Sequence, residues 1–453
     1  MIRLLIAAPA SNCGKTALSC ALLRVLRERG YDPCAFKCGP DYIDPMFHRA
    51  VLGVDSHNLD LFLSDEERVK ALFARACRGH GAALVEGAMG FYDGLGGVSE
   101  RASAWQLAGT LGLPVLLVLP ARGASLTLAA QLRGLRDFRT PSHLAGVILN
   151  EFPPALCRTL APTLERETGL PVLGCLPRLD GARINSRHLG LLSPREIEDL
   201  DARLSLLARA LEENVDLPRL LRLFDGPAPE TADEPAARAP RCRIAVARDE
   251  AFCFAYAETL ETFAALGGEP VYFSPLHDAA LPERIGGLYL PGGYPELYAR
   301  RLSENEGMRR AVAEAVRGGL PTVAECGGFL YLGKALCGPD GTVFPMAGVL
   351  PGTASDAGRL VRFGYAMLSA SEDSLLFRAG EAFPVHEFHH WDSTDNGSAF
   401  RLEKPLSGKT WRGGFASGTL CAAFPHLYFA GNPVLAERFV RAAEETGARN
   451  GVM

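Results

Sequence analysis

Two short runs carry side chains whose types and spacing can do chemistry. The first is Ala8-Pro9-Ala10-Ser11-Asn12-Cys13-Gly14-Lys15-Thr16. A loop of the form GxxxxGK[ST] cradles phosphates with backbone N–H groups at a helix N-terminus. Gly14, Lys15 and Thr16 fit its end, and Pro9 stands where the first glycine is expected. Lys15 would neutralise the β- and γ-phosphates of a nucleotide, and the Thr16 hydroxyl would bind Mg²⁺. The second run is Ala324-Glu325-Cys326-Gly327-Gly328. A cysteine between a strand and a helix, followed by glycines that permit a tight turn, follows the logic of a nucleophile elbow. The helix N-terminus favours the thiolate. A nucleotide site and a reactive cysteine on one chain suggest a coupled reaction. One site makes an activated acid, and the other supplies what attacks it.

Partners for both runs are present. Lys37 to Asp44 reads as following a second strand, and Glu86 to Gly94 follows the strand ending at Val85. Asp41, Asp44, Glu86 and Asp93 would then lie at carboxyl ends of parallel strands, where α/β ligands bind. Carboxylates there hold Mg²⁺ or orient a substrate. His426, in Phe424-Pro425-His426-Leu427-Tyr428, is the candidate base for Cys326. Gly292 and Gly293 end another strand, and their N–H groups with that of Gly327 could form an oxyanion hole. A buried small hydrophobe is the commoner fate of a cysteine. The elbow, the glycine-rich strand end and the late histidine together favour a nucleophile. His386-Glu387-Phe388-His389-His390 matches HExxH. Pro384, Phe388 and Trp391 suit a strand, on which residues four apart lie roughly 13 Å from each other and cannot share zinc. A structural or substrate-contacting segment is expected instead.

The elements that must position these groups are legible. Residues 3–8 read as a buried strand, followed after the loop by a helix from Ala17 to Arg29 that Gly30 closes. Apolar runs recur at Ala82–Val85, Pro114–Leu119, Ala145–Leu149 and Pro171–Cys175, with helical stretches between, as in a mostly parallel α/β sheet. Residues 226–241 are rich in Pro, Ala and acid and read as a linker. A second α/β set starts at Cys242–Ala247 and continues through Gly287–Leu290 and Thr322–Ala324. The expected division is 1–225, linker 226–241 and 242–453. With 453 residues the chain is long enough for two cores, and no internal repeat is evident. A net charge of -5 gives no argument for a nucleic-acid partner. An anionic substrate would need a local basic pocket, for which Arg183, Arg187, His188, Arg359 and Arg362 are candidates. Twelve cysteines without zinc-like pairing suit a reducing compartment. No run is long enough to span a bilayer and the start is too short for a signal segment, so a cytoplasmic protein without a membrane partner is expected.

Cysteine followed by a distant histidine is the order of class I glutamine amidotransferase domains. Those domains place Glu two residues after the histidine, and here that position is Tyr428. Cys326 and His426 thus read as a dyad whose imidazole is oriented from elsewhere. Over both domains the chain resembles the cobyrinic (hydrogenobyrinic) acid a,c-diamide synthase family of cobalamin biosynthesis. Its marks are Ala8–Ser11 before Gly14–Thr16, Lys37–Asp44, Glu86–Gly94, Leu290–Glu296, Ala324–Gly328 and Val385–His389. The resemblance implies an N-terminal phosphate-loop domain like that of dethiobiotin synthetase and a C-terminal amidotransferase domain. It also implies ATP- and glutamine-dependent amidation of two acetate carboxylates of a corrinoid macrocycle through acyl phosphates. By the same resemblance Cys326 is nucleophile and His426 base. Lys15 and Thr16 serve phosphate and Mg²⁺, and Lys37 lies near the transferred phosphoryl. Asp44 and Asp93 belong with catalysis, Asp41 and Glu86 with the metal, and Asn150 with adenine. Asn12 stands where many relatives have glycine. A homodimer is compatible with the resemblance. Another tetrapyrrole, such as nickel-sirohydrochlorin, is an alternative substrate. A nucleotide-binding regulator with an inactive amidotransferase domain is a third reading, against which the intact Cys326 and His426 stand.

Overall fold

The computed structural model describes residues 1–181, 194–230 and 238–449, with backbone alone for 194–198. Two compact units divide the chain, Met1–Asp233 and Glu234–Met453.

The first unit is built on one sheet. Its strands are β1 (Ile2–Ala7), β2 (Pro33–Cys38), β3 (Ser56–Leu59), β4 (Ala82–Glu86), β5 (Val115–Pro120), β6 (Leu144–Asn150) and β7 (Val172–Leu176). They lie in the order β3-β2-β4-β1-β5-β6-β7, all parallel. Near-continuous apolar strands are what a sheet covered on both faces requires. Helix α1 (Lys15–Glu28) follows β1 and buries Leu18, Leu22 and Leu26 completely. This i, i+4, i+8 stripe contributes about 2 kcal/mol for each leucine. The helix Pro194–Asn214 adds Leu204, Leu207 and Leu211 to the same core.

Two local readings change. Lys37 lies within β2 rather than after it. Strand β3, with the polar sequence Ser-His-Asn-Leu, is not anticipated by an apolar pattern. It forms because β2 offers it a parallel partner and because its polar groups find bonds: Ser56 with His48, and Asn58 with the carbonyls of Gly39 and Asp41.

The second unit starts with β8 (Cys242–Ala247) and β9 (Gly268–Phe273), followed by β10 (Gly287–Leu290) and β11 (Thr322–Glu325). With Leu420–Ala423 and Phe415–Ala416 they form a six-stranded sheet. Only the Phe415–Ala416 pairing in it is antiparallel. A five-stranded antiparallel sheet, not anticipated from the apolar pattern, joins Thr410–Gly413, Phe400–Glu403, Arg362–Ala370, Ala382–His389 and His426–Leu427. In Ala382–His389, Val385, Glu387 and His389 are buried and Phe388 is half exposed, the period-2 alternation of a strand. The HExxH run therefore lies on a strand, with no helical turn to bring His386 and His390 together. The helix Pro433–Arg449 covers the core through Leu435, Phe439, Val440 and Ala443.

The ends of the Pro-rich stretch are tied down. Gly226 N donates to Met1 O (3.1 Å) in the first unit, and Arg241 N to Gly267 O (2.8 Å) in the second. Among the described residues no helix is long and apolar enough to cross a membrane.

Candidate active sites

The phosphate loop leaves the carboxyl end of β1, between β4 and β5. Asn12 and Gly14 both take left-handed backbone, with φ 61° and 96°. Asparagine tolerates that region, which is why Asn12 can stand in for glycine. Gly14 cannot be replaced as easily, since a Cβ there would lie 2.3 Å from Asn150 Nδ2. The same Nδ2 donates to Cys13 O (3.0 Å), so Asn150, at the end of β6, braces the loop. Lys15 Nζ donates to Ala10 O (2.9 Å) and Met89 O (2.5 Å). Burial, then the nearby Lys37, pulls its ammonium below the usual value. The negative charge of an arriving phosphate would oppose both effects.

Thr16 Oγ1 donates to Glu86 Oε1 (2.7 Å). Glu86 is completely buried at the end of β4. Lys37 Nζ lies 2.8 Å from Glu86 Oε1 and 2.5 Å from Asp44 Oδ2. Burial pushes the Glu86 carboxyl up against the pull of Lys37, whereas at Asp44 the pull of Lys37 outweighs burial and the carboxyl is held low. Asp41 Oδ1 accepts from the backbone N–H groups of Ile43 (2.8 Å) and Asp44 (3.4 Å), starting the short helix Ile43–Phe47. Asp93 Oδ2 accepts from Gly90 N (2.9 Å) and closes the turn after β4. A buried ion network of this kind is weak evidence for stability and is better matched to a ligand. Mg²⁺ fits it. The Glu86 Oε2 oxygen is buried without a hydrogen-bond partner. Carboxylates Asp41, Asp44 and Glu86 outnumber the lysines 15 and 37 that act on them. Among the described residues no three His, Cys, Asp or Glu side chains could hold a metal ion by themselves. Mg²⁺ would therefore rely on Thr16, Glu86 and the nucleotide's phosphate oxygens.

In the second unit Cys326 sits between β11 and the helix Gly327–Leu332, with φ 45° and ψ −100°. That strained conformation belongs to an elbow that turns a side chain out of a strand. The Cys326 thiol and the Glu325 carboxylate both act on the His426 imidazole. Burial opposes its protonation, but the thiol and the Glu325 carboxylate outweigh it, and His426 is raised to about 10. The loop after β10 closes on this pair. A Cβ on Gly292 would lie 2.6 Å from His426 Cε1, and one on Gly327 would lie 2.9 Å from Gly293 N. The three glycines expected at an oxyanion hole are thus gathered around Cys326 and His426.

Residues 4–191 match the CobQ/CobB/MinD/ParA nucleotide binding domain family, and residues 243–434 the CobB/CobQ-like glutamine amidotransferase domain family. A Clostridium tetani protein named cobyrinate a,c-diamide synthase is 37% identical over 95% of this chain and 98% of its own. Proteins of the same name from Gloeobacter violaceus and Salmonella typhimurium are 40% and 37% identical, each over 97% of this chain and 96% and 97% of their own. The chain belongs to the cobyrinate a,c-diamide synthase family. It is an enzyme that pairs a nucleotide-binding α/β domain with a glutamine amidotransferase α/β domain.

Within this family member, several neighbours of the two sites escape a motif reading. His48, pushed down to about 4 by burial, bonds Ser56 Oγ through Nδ1 (3.0 Å) and acts electrostatically on Asp44. Tyr289 OH donates to Glu325 Oε2 (3.1 Å). The available signals were a polar strand and an acid beside the nucleophile. On the Ala382–His389 strand, His389 stacks on Phe424 at 4.0 Å, and burial pushes Glu387 up to about 7. Arg362 lies over the Trp411 ring at 5.0 Å, whereas Arg359 is exposed. The proposed basic residues Arg183, Arg187 and His188 lie outside the described residues.

Proposed function

We propose that this enzyme amidates the a and c acetate carboxylates of cobyrinic or hydrogenobyrinic acid, with ATP and glutamine, in cobalamin biosynthesis. The observation that carries this reading is the match, through both domains, to relatives named cobyrinate a,c-diamide synthase. The braced phosphate loop and the Cys326–His426 pair support it independently.

In the first unit, Lys15 leaves its two carbonyls for the β/γ-phosphates, and the loop's N–H groups hold the anion. Lys37, fixed between Glu86 and Asp44, stands ready for the transferred phosphoryl group. A macrocycle carboxylate oxygen attacks the γ-phosphorus, and ADP leaves an acyl phosphate. Mg²⁺, when bound beside Thr16 and Glu86, would supply charge neutralisation for this transfer. Asp41 and Asp93 shape the surrounding turns, and Asn150 keeps the loop in form beside the nucleotide.

In the second unit the Cys326 thiolate attacks the glutamine side-chain carbonyl. The developing oxyanion would face the N–H groups of Gly292, Gly293 and Gly327. His426 gives its proton to the leaving nitrogen, ammonia departs and a thioester remains. Water then attacks while His426 takes its proton, and glutamate and thiolate are regenerated. Ammonia displaces phosphate from the acyl phosphate, leaving the amide. The split of the chain at residue 233 supports a synthetase domain 1–225 and a glutaminase domain 242–453. Twelve free cysteines support a reducing, cytoplasmic setting. The test is to supply glutamine and ammonia separately. Cys326→Ala should lose synthesis with the first and keep it with the second.

A further inference from the structure

In amidotransferases of this type an acid two residues after the histidine orients the imidazole, and Tyr428 cannot serve there. Its ring is buried edge-to-face against Tyr256 at 5.2 Å. We propose that Glu325, the residue before the nucleophile, is the positioning residue of the glutaminase site. On this proposal it holds His426 by Nδ1, fixes the ring's tautomer and steadies the imidazolium. The inference rests on the glutaminase reading above and adds a residue to it.

Glu325 ends β11 and is 2% exposed. A carboxylate so buried needs partners for both oxygens. Oε1 accepts from Leu427 N (3.1 Å), the peptide adjoining His426. Oε2 accepts from Tyr289 OH (3.1 Å) and lies 3.6 Å from His426 Nδ1. The carboxylate is thus held through both oxygens, bonded to the backbone of the histidine segment and standing at ion-pair distance from the ring. With Nδ1 facing Glu325, Nε2 is left for the Cys326 thiol. Since nucleophile and orienting acid are consecutive, the elbow turns Cys326 out while its neighbour stays beneath the imidazole. The other ionisable groups acting on His426 are Cys326 at the elbow and His386, Glu387 and His389 on Ala382–His389. His386 and His389 are pushed down by burial, to about 3 and about 4, and supply no counter-charge. Glu387 is pushed up to about 7 by burial. Glu325 is the carboxylate recorded at ion-pair distance from the ring.

The test uses the full chain and Glu325→Gln, which keeps size and an acceptor for Leu427 N but removes the charge. Glutaminase kcat should fall about 100-fold, with the KM for glutamine within about twofold and ammonia-dependent synthesis unchanged. Alkylation of Cys326 by iodoacetamide, followed on its peptide by mass spectrometry across pH, should shift to higher pH. Loss of the carboxylate weakens the imidazolium that pairs with the thiolate. Wild-type kcat with an unshifted profile would overturn the proposal. If Glu325→Gln also loses ammonia-dependent synthesis, Glu325→Asp decides through alkylation alone. A profile displaced upward from wild type supports the role, and one that overlays it overturns the role. A wild-type enzyme without glutaminase activity would strike the underlying reading instead, and alkylation would still report on Glu325.

Discussion

Lys15 and Cys326 do different work, and their loss should look different. Lys15 sits on two carbonyls at the mouth of the phosphate loop, and Glu86 bonds the Thr16 hydroxyl. Both act on the phosphate chemistry that either nitrogen source needs. Lys15→Ala and Glu86→Ala should therefore reduce synthesis at least about 100-fold with glutamine and with ammonia alike. Normal ammonia-dependent turnover would place phosphoryl transfer elsewhere. Cys326→Ala and His426→Ala should each lower glutamine-dependent synthesis by about 1000-fold or more. Parallel assays with saturating ammonia should stay near wild type. Burial opposes protonation of His426, but the thiol and Glu325 outweigh it and raise it to about 10.

At the scale of elements, strand ends place the chemistry. The loop after β10 presses Gly292 onto His426, where an added Cβ would lie 2.6 Å from Cε1. Gly292→Ala should displace the imidazole and lower glutaminase kcat at least about tenfold, with ammonia-dependent synthesis spared. An unchanged kcat would mean that the loop yields. Arg438 on the helix Pro433–Arg449 grips Glu381 through two bonds of 2.6 and 2.7 Å. Bonded to Arg438, the Glu381 carboxyl is held at about 2. Its folded value lies below the ordinary one, so its contribution is present above about pH 4.5 and is lost as pH falls toward 2. Arg438→Met should cost about 1 kcal/mol at pH 7, a modest figure because the pair is partly solvated. Urea unfolding should show that gap narrowing at pH 3. Much of this layout was legible in advance. Apolar runs mark β1, β4 to β8, β10 and β11, because buried parallel strands must be apolar throughout. Of the antiparallel sheet only the strand around Pro384 and Phe388 was legible, since the strands alternate polar and apolar residues and two of their pairings span long sequence gaps. Strand β3 was missed because side-chain bonds to Ser56 and Asn58, not apolar residues, satisfy it. Glu325 was seen only as part of a motif, because its role depends on a histidine far along the chain.

At the scale of the whole molecule, each unit has its own core and its own kind of site. The first holds buried carboxylates and lysines around a phosphate loop, and the second a cysteine and histidine among glycines. Their chemistry is complementary, since one activates a carboxylate and the other releases ammonia. The central claim is that these halves act on one macrocyclic polyacid at two of its carboxylates. The most direct measurement is mass spectrometry of the macrocycle after incubation with ATP, Mg²⁺ and glutamine, using cobyrinic acid, hydrogenobyrinic acid and nickel-sirohydrochlorin in separate reactions. The account predicts stepwise conversion of one and then two carboxyl groups to amides on a corrinoid acid, each with its equivalents of ADP, phosphate and glutamate. Unaltered corrinoid mass alongside turnover of ATP and glutamine, or amidation of nickel-sirohydrochlorin alone, would contradict it.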